Sequence, residues 1–194
     1  MSEKATLRRY LQQGRDAIVW KLDGLSEHDV RRPLTPTGTN LLGLVKHLAS
    51  VELVYFGETF ARPSGIDLPW YADAADPNAD MWATPQESRA WVVDLYHAAW
   101  AHADTTFDAL DLDGAGVVPH WPAPRDRVTL HQILVHVIAE THRHAGHADI
   151  LRELVDGAAG VRAGRTNLPG DGYDWPAHVA RVAQAAREAG DAAR

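Results

Sequence analysis

The sequence predicts an all-α protein, specifically a four-helix bundle with long loops gathered over one end. Four long segments repeat apolar residues at the three- and four-residue spacing of a helix face. Alternating apolar and polar runs are weak throughout, so a sheet is not expected. The connections between the later segments are long and rich in Pro, Gly and Asp, and loops of that kind usually carry function or cover a site.

The first two helices are predicted over residues 4–23 and 39–60. The apolar face of the first carries Leu7, Leu11, Ile18 and Leu22. The repeating apolar positions of the second are Leu41, Leu44, Leu48, Val51 and Tyr55. Either Thr37 or Thr39 is the expected N-cap of the second helix, because a threonine hydroxyl can accept a hydrogen bond from a free N–H of the first turn.

The third and fourth helices begin at recognisable capping patterns. Residues 84–87 read Thr-Pro-Gln-Glu, a capping box with proline at the first helical position, and the helix is predicted to reach about residue 109. The fourth helix opens at Thr129, with Gln132 three residues later, and runs to about Asp156. Gly157 is the expected end, since glycine readily adopts the left-handed conformation that terminates helices.

Two long loops and a C-terminal extension complete the chain. The loops cover residues 61–83 and 110–128, and their aromatic and histidine residues include Trp70, Tyr71, Trp82, His120 and Trp121. An irregular stretch, 157–174, leads to a short amphipathic helix over about 176–189, with Gly190 as its stop. We therefore expect a metal-binding bundle over residues 1–160, with residues 161–194 forming a loop and short helix packed on the same domain.

Composition narrows the classes of partner and location. The net charge of −7 and the pI near 5.8 argue against a nucleic-acid partner, which would need a basic face. The chain has no cysteine, so any thiol chemistry must use a thiol from another molecule. The N-terminus lacks the apolar core of a signal peptide, and no apolar run has membrane-spanning length. The expectation is a cytoplasmic protein with a small-molecule partner and no membrane contact.

Ionisable residues occupy the middle of an otherwise apolar stripe on the fourth helix. At about 100° per residue, Glu140, His144 and His147 fall within roughly 60° of one another around the helix axis. The same stripe is apolar at Ile133 and at Leu151. A cluster of ionisable groups on a core-facing stripe is costly to bury unless something compensates it, and a metal ion is a common compensator.

The second helix offers a third ligand. His47 lies on the stripe of Leu44 and Val51, where a histidine is otherwise unexpected. Metal sites of helical bundles are built from side chains on facing helices. His47, Glu140 and His144 would supply two neutral imidazoles and one carboxylate, a set that suits zinc and leaves a fourth position for water or substrate.

Ordinary packing is the alternative explanation of these histidines. Glu and His four residues apart are common on helix surfaces, and a lone core histidine is usually just hydrogen-bonded. His136 and His147 lie one turn outside the proposed ligands, where either would orient a ligand or contact substrate. His131 and His142 point away from the stripe and are expected to be exposed. His120 sits in a loop that could reach the site.

Other catalytic motifs are missing from the sequence. It contains no Walker A motif, no zincin His-Glu-x-x-His and no serine nucleophile elbow. Asp149 and Arg152 are three residues apart on the fourth helix and are expected to pair with each other.

Two segments resemble DinB-like proteins, in particular the actinobacterial branch often called mini-circle proteins. Residues 129–157, which contain Glu140-Thr-His-Arg-His144-Ala-Gly-His147, resemble the last bundle helix of that family. Residues 36–52, which contain Leu44-Val-Lys-His47-Leu, resemble its second helix. The resemblance spans roughly residues 5–160.

This resemblance implies a DinB/YfiT-like four-helix bundle with one divalent metal, usually zinc or nickel, held by three residues. Many members use three histidines; here Glu140 stands where those have the first histidine of the last helix, and His47 and His144 fit the other two. The His-Glu-His version is similar to mycothiol-dependent maleylpyruvate isomerase, which uses a low-molecular-weight thiol. That relative has an additional C-terminal domain, for which the remainder of this sequence is too short, so isomerase activity itself is not expected.

The leading hypothesis is a metal-dependent S-transferase that adds a thiol, most plausibly mycothiol, to a small electrophile. His147 would act in the second shell or as a proton relay, and the loops around Trp70, Trp82 and Trp121 would cover the electrophile. One alternative is a metal-dependent hydrolase with His147 or His136 as general base. The other is a non-enzymatic, metal-stabilised binding or stress module. A homodimer formed through helix faces is also expected.

Overall fold

Six α-helices and one small hairpin make up the computed structural model, which describes residues 1–72 and 74–192. The helices are α1 (Glu3–Trp20), α2 (Glu27–Arg31), α3 (Leu41–Phe56), α4 (Arg89–Ala109), α5 (Leu130–Asp156) and α6 (Trp175–Ala192). The strands are β1 (Ala115–Val117) and β2 (Arg127–Thr129). Short 3-10 turns occupy Glu58–Phe60 and Pro69–Tyr71. The prediction of an all-α protein is confirmed.

The bundle consists of α1, α3, α4 and α5. α3 packs against both α4 and α5, while α1 packs against α5. Their apolar faces form two buried clusters, one around Leu44, Leu48 and Tyr96 and one around Phe56, Phe107 and Leu130. α3 is central to both clusters, and its middle is therefore almost entirely buried. A polar side chain on the α5 side of α3 must consequently find its partner on α5 or on a loop that packs over both helices.

Two helix starts differ from the sequence predictions. Asn40, rather than Thr37 or Thr39, caps α3, and its Oδ1 accepts a 2.8 Å hydrogen bond from Gly43 N. Ser88, rather than Thr84, caps α4. Of the two hydrogen bonds of the predicted capping box, one forms: Thr84 N donates to the Glu87 carboxylate at 2.7 Å. Residues 84–87 form a separate turn before the helix.

The small hairpin was not expected from the sequence. β1 and β2 pair antiparallel over three residues each, with Gly116 opposite Val128. Strands of this length are too short to show an alternating pattern. Gly116 allows the hairpin to lie against the turn after α3, since a Cβ there would come within 2.8 Å of the Phe60 ring. The hairpin thus brings the loop between its strands close to the C-terminal end of α3.

The ion pair expected between Asp149 and Arg152 does not form. Arg152 instead donates to the Asp156 carboxylate, with Nη2–Oδ2 at 2.7 Å, and to backbone carbonyls at the end of α1. Asp149 pairs with the buried Lys21 at 2.6 Å. The bonds from Arg152 to the carbonyls of Lys21 and Asp23, and the Lys21–Asp149 pair, join the end of α1 to α5. Lys21 thus takes Asp149, and Arg152 pairs one turn later on α5, with Asp156.

The C-terminal helix α6 is longer than predicted, and across its described residues no side chain is buried. The division of the chain at residue 160 remains a prediction. None of the helices in the described part of the chain has both the length and the apolar character needed to span a bilayer.

Candidate metal centre and substrate cleft

Side chains from α3 and α5 meet where these two helices face each other. His47 comes from α3, and Glu140 and His144 come from successive turns of α5. One nitrogen or oxygen of each residue lies within 4.8 Å of those of the other two. His144 is buried, and the other two side chains are partly exposed. The structure therefore brings together the three residues that the sequence pattern selected.

The distances among these atoms suit a single metal ion. Ligands about 2.1 Å from a tetrahedral ion lie about 3.4 Å from one another. Glu140 Oε1 lies 3.7 Å from His47 Nε2 and 3.0 Å from His144 Nε2, values on either side of that separation. Two imidazoles and one carboxylate form a donor set that zinc accepts, so the residues present fit such an ion.

A carboxylate from the loop between α3 and α4 orients His47. Asp80 Oδ2 lies 2.7 Å from His47 Nδ1 and accepts a hydrogen bond from the N–H of that nitrogen. This tautomer leaves the lone pair of Nε2 directed towards Glu140 and His144. Carboxylate–histidine pairs of this kind fix ring orientation and raise ligand basicity in metal sites. Asp80 was missed by the sequence analysis, because a loop residue 33 positions away from its partner belongs to no periodic pattern.

His147 lies behind His144, on the side away from Glu140. The two Nδ1 atoms are 3.4 Å apart, and the ring centroids are separated by 5.3 Å. A histidine that binds a metal through Nε2 carries its proton on Nδ1, and His147 Nδ1 is placed to accept that hydrogen bond. The side chain of His147 is exposed. Its position thus favours orientation of His144 over direct contact with substrate.

Electrostatics favour the protonation states that metal binding requires. Burial, followed by the proximity of His47, lowers the pKa of His144, so its imidazole is neutral near pH 7. Burial opposes ionisation of Glu140, but the adjacent imidazoles of His144 and His47 outweigh it and hold the pKa of the carboxyl below its ordinary value. His144 therefore presents a neutral nitrogen and Glu140 an anionic oxygen.

A cleft of about 840 Å³ opens onto two of the three clustered side chains, His47 and Glu140. Aromatic and histidine side chains form much of the remaining wall, and they are Tyr55, Tyr71, His120 and His136. Burial raises the pKa of Tyr55, and it raises the pKa of Tyr71 to about 12, so both phenols keep their protons at neutral pH. The cleft is large enough for a drug-sized molecule and offers neutral hydrogen-bond donors.

Tyr55 organises the part of the cleft wall that contains His120 and His136. Trp121 Nε1 donates to Tyr55 Oη at 3.2 Å, which leaves the phenol proton for His120 Nε2, also at 3.2 Å. The rings of His136 and Tyr55 are in contact, with centroids 4.8 Å apart. Burial lowers the pKa of His136, so this imidazole is neutral near pH 7. The loop between β1 and β2 thus supplies His120 to the wall of the cleft and places Trp121 against Tyr55 and His136, in line with the expectation that this loop reaches the site.

The other two tryptophans expected to cover the cleft lie elsewhere. Trp70 is buried, and its Nε1 donates to Ser50 Oγ at 2.9 Å. Trp82 is exposed beside the loop at the start of α3. His131 and His142 point away from the cluster. His142 is exposed, as expected. The His131 side chain is 46% exposed and lies 3.2 Å from the Glu3 carboxylate.

The loop that carries Asp80 is held against α3 at several points. Lys46, the residue before His47, donates from its buried Nζ to Ala79 O at 2.9 Å and to Trp82 O at 3.0 Å, and it pairs with the Glu87 carboxylate. The backbone of the loop also touches Gly43, where a Cβ would lie 1.8 Å from Met81 O. Glycine is therefore required at position 43 for the loop to reach His47.

Comparison with known proteins identifies the family to which the chain belongs. No curated protein matches the chain at a significant level. A sequence profile described as Mycothiol-S-transferase matches residues 6–157, a range that begins in α1 and ends at the glycine after α5. The matched range contains all four bundle helices, the His47–Glu140–His144 cluster and the walls of the cleft. Since the match covers most of the chain and agrees with the DinB/YfiT-like resemblance of its helices, the protein belongs to the mycothiol S-transferase family.

Proposed function

We propose that this protein is a divalent-metal-dependent S-transferase that joins mycothiol, or a closely similar thiol, to a small electrophile. The observation that carries the proposal is the convergence of two imidazoles and one carboxylate beside a large cleft, in a chain of this family. His47, Glu140 and His144 hold the ion, with zinc the favoured metal and nickel the alternative. When bound, such an ion lowers the pKa of a coordinated thiol and so makes it nucleophilic near pH 7.

The chain's own residues bind, orient and exchange protons around the reacting atoms. The thiol sulfur loses its proton and forms a bond to an electrophilic carbon, from which a leaving group departs with its electron pair. His136 is neutral and lines the cleft one helical turn from Glu140, so it is placed to accept the thiol proton. Tyr71 donates a hydrogen bond to the substrates, and Tyr55 donates its proton to His120 and so orients that ring at the wall of the cleft. His147 keeps the His144 ring in the metal-binding orientation.

The first test is metal content followed by a spectroscopic titration. The purified protein should contain about one divalent metal per chain. The cobalt-substituted protein, titrated with mycothiol, should develop a sulfur-to-cobalt charge-transfer band. Metal binding without any response to the thiol would contradict the transferase and favour a hydrolase that uses metal-bound water. Chains that bind no metal even after reconstitution would contradict the site itself.

Single substitutions test which residues bind the metal. His47→Ala and His144→Ala should each abolish stoichiometric metal binding, because each removes one of three donors. His142→Ala is the matched control, since that histidine is on the same helix but is exposed and hydrogen-bonds the backbone of Tyr10. If the first two variants kept a full complement of metal, the assignment of ligands would be wrong.

A further inference from the structure

A second, positively charged pocket lies behind the aromatic wall of the cleft. It has a volume of about 320 Å³ and is lined by Trp121, Pro122, Arg125, Arg127 and Gln132. Trp121 belongs to both regions, because its ring also contacts Tyr55 and His136, with centroids 5.9 and 5.2 Å away. The indole therefore borders both the wall of the cleft and this pocket, which we call the arginine pocket.

The two guanidinium groups of the arginine pocket have no acidic partner among the described residues. None of the ion pairs in that part of the chain involves Arg125 or Arg127, although the protein carries a net charge of −7. Their backbones are fixed, since Arg125 N donates to Pro122 O at 3.0 Å and Arg127 lies in β2. Two exposed guanidinium groups without an acidic partner, carried on a backbone that these contacts hold, form an environment that suits an anion.

The distance between the arginine pocket and the His47–Glu140–His144 cluster follows from the geometry of α5. Gln132, His136 and Glu140 are spaced four residues apart on α5 and lie on one face. Eight residues of α helix rise about 12 Å, which separates the arginine pocket from the metal ligands. His136 and the Trp121 indole lie between the two ends. A ligand with its reactive carbon beside the metal cluster would need an apolar body of that length to reach the arginines.

We propose that the arginine pocket binds the anionic end of the second substrate, so that the electrophile is an amphiphilic anion with an apolar or aromatic body and a carboxylate or a similar group. Arg125 and Arg127 bind the anion, Gln132 donates a further hydrogen bond from its amide, and Trp121 packs on the body. The assignment of this anion to the electrophile rests on the proposed thiol transfer. The binding of an anionic amphiphile at the pocket does not.

The test compares one charged and one neutral probe of the same shape. The full-length, metal-loaded protein is titrated calorimetrically with 4-phenylbutyrate and with 4-phenylbutanamide. The carboxylate should bind about tenfold more tightly than the amide, with a preference that weakens as salt is raised. In the Arg125→Gln/Arg127→Gln double variant the preference should fall below about twofold. Arg181→Gln, which removes one exposed arginine of α6, should leave it unchanged.

The result must also be independent of the metal. After chelation of the metal the preference for the carboxylate should persist, because the arginines and not the ion bind it. Equal affinities for the two probes, or a preference that survives in the double variant but disappears on chelation, would overturn the proposal. A failure of the cobalt protein to respond to mycothiol would affect only the thiol transfer, so the two proposals fail separately.

Discussion

Replacing Asp80 with asparagine should weaken metal binding without unfolding the protein. Asp80 accepts a 2.7 Å hydrogen bond from His47 Nδ1, and its side chain is only 11% exposed. In Asp80→Asn the amide oxygen can still accept that hydrogen bond, so the ring orientation is kept while the negative charge is lost. The variant therefore isolates the electrostatic effect of the carboxylate on the ligand nitrogen.

The expected magnitude follows from the position of the pair. Mutation of a residue that hydrogen-bonds a metal ligand typically costs about 10–100-fold in metal affinity. Because both Asp80 and His47 are shielded from water, with side chains 11% and 19% exposed, the effect should lie in the upper part of that range. We expect a rise in Kd of about 30–100-fold, which corresponds to about 2.0–2.7 kcal/mol.

The assay is competition for zinc against a chromophoric chelator, with thermal unfolding of the metal-free proteins measured in parallel. Asp67→Asn is the control, since it makes the same chemical change at an exposed position of the same loop. An unchanged Kd in Asp80→Asn, or an equal rise in the control, would refute the role given to Asp80. Equal unfolding temperatures of the metal-free variant and parent would show that the loss is local.

Three further changes test the packing around the site and the pH dependence of the fold. Gly43→Ala places a Cβ 1.8 Å from Met81 O, so it should displace the loop, lower the unfolding free energy by about 1–3 kcal/mol and weaken zinc binding in the chelator assay. Phe107→Ala should cost about 3–5 kcal/mol in urea unfolding and leave the zinc Kd unchanged, because its ring packs on Phe56 at the end of α3, more than two helical turns from His47. The hydrogen bond from Arg152 lowers the pKa of Asp156 below 3.8, so this pair stabilises the folded state above about pH 4 and loses its effect as pH falls through the folded pKa. The difference in urea stability between the parent and Asp156→Asn should thus be constant from pH 7 to 5 and shrink as the pH falls below about 4; a difference that did not change with acidification would contradict the assignment.

The bundle and the meeting of the three clustered side chains were predictable because both follow from helical periodicity. An apolar stripe fixes which face of α5 meets α3, and ionisable residues within that stripe must then face each other across the contact. His47, Glu140 and His144 were found in this way. The bounds of α5 were also predicted closely, since Thr129 and Gly157 carry the capping signals that determine where a helix begins and ends.

The parts that escaped prediction depend on loops. Asp80 and Tyr71 reach the site through a loop whose path is fixed by tertiary contacts with α3, and no spacing in the sequence encodes that path. The same holds for the tryptophans: Trp70 and Trp121 occupy similar loops, yet one fills the core and the other borders the cleft. The capping box at Thr84 was a sound local signal, but Glu87 is bound by Lys46 and Ser88 takes over the cap.

Two consecutive residues of α3 fasten the loop between α3 and α4 beside the candidate metal centre. Lys46 fastens the loop at Ala79 and Trp82, and His47 fastens it at Asp80. Because the same loop holds His47 in its orientation, docking of the loop and binding of an ion at His47 would be linked, and a substitution that loosens the loop would lower the metal affinity. By reciprocity, an ion bound at His47 would hold residues 79–82 more firmly against α3.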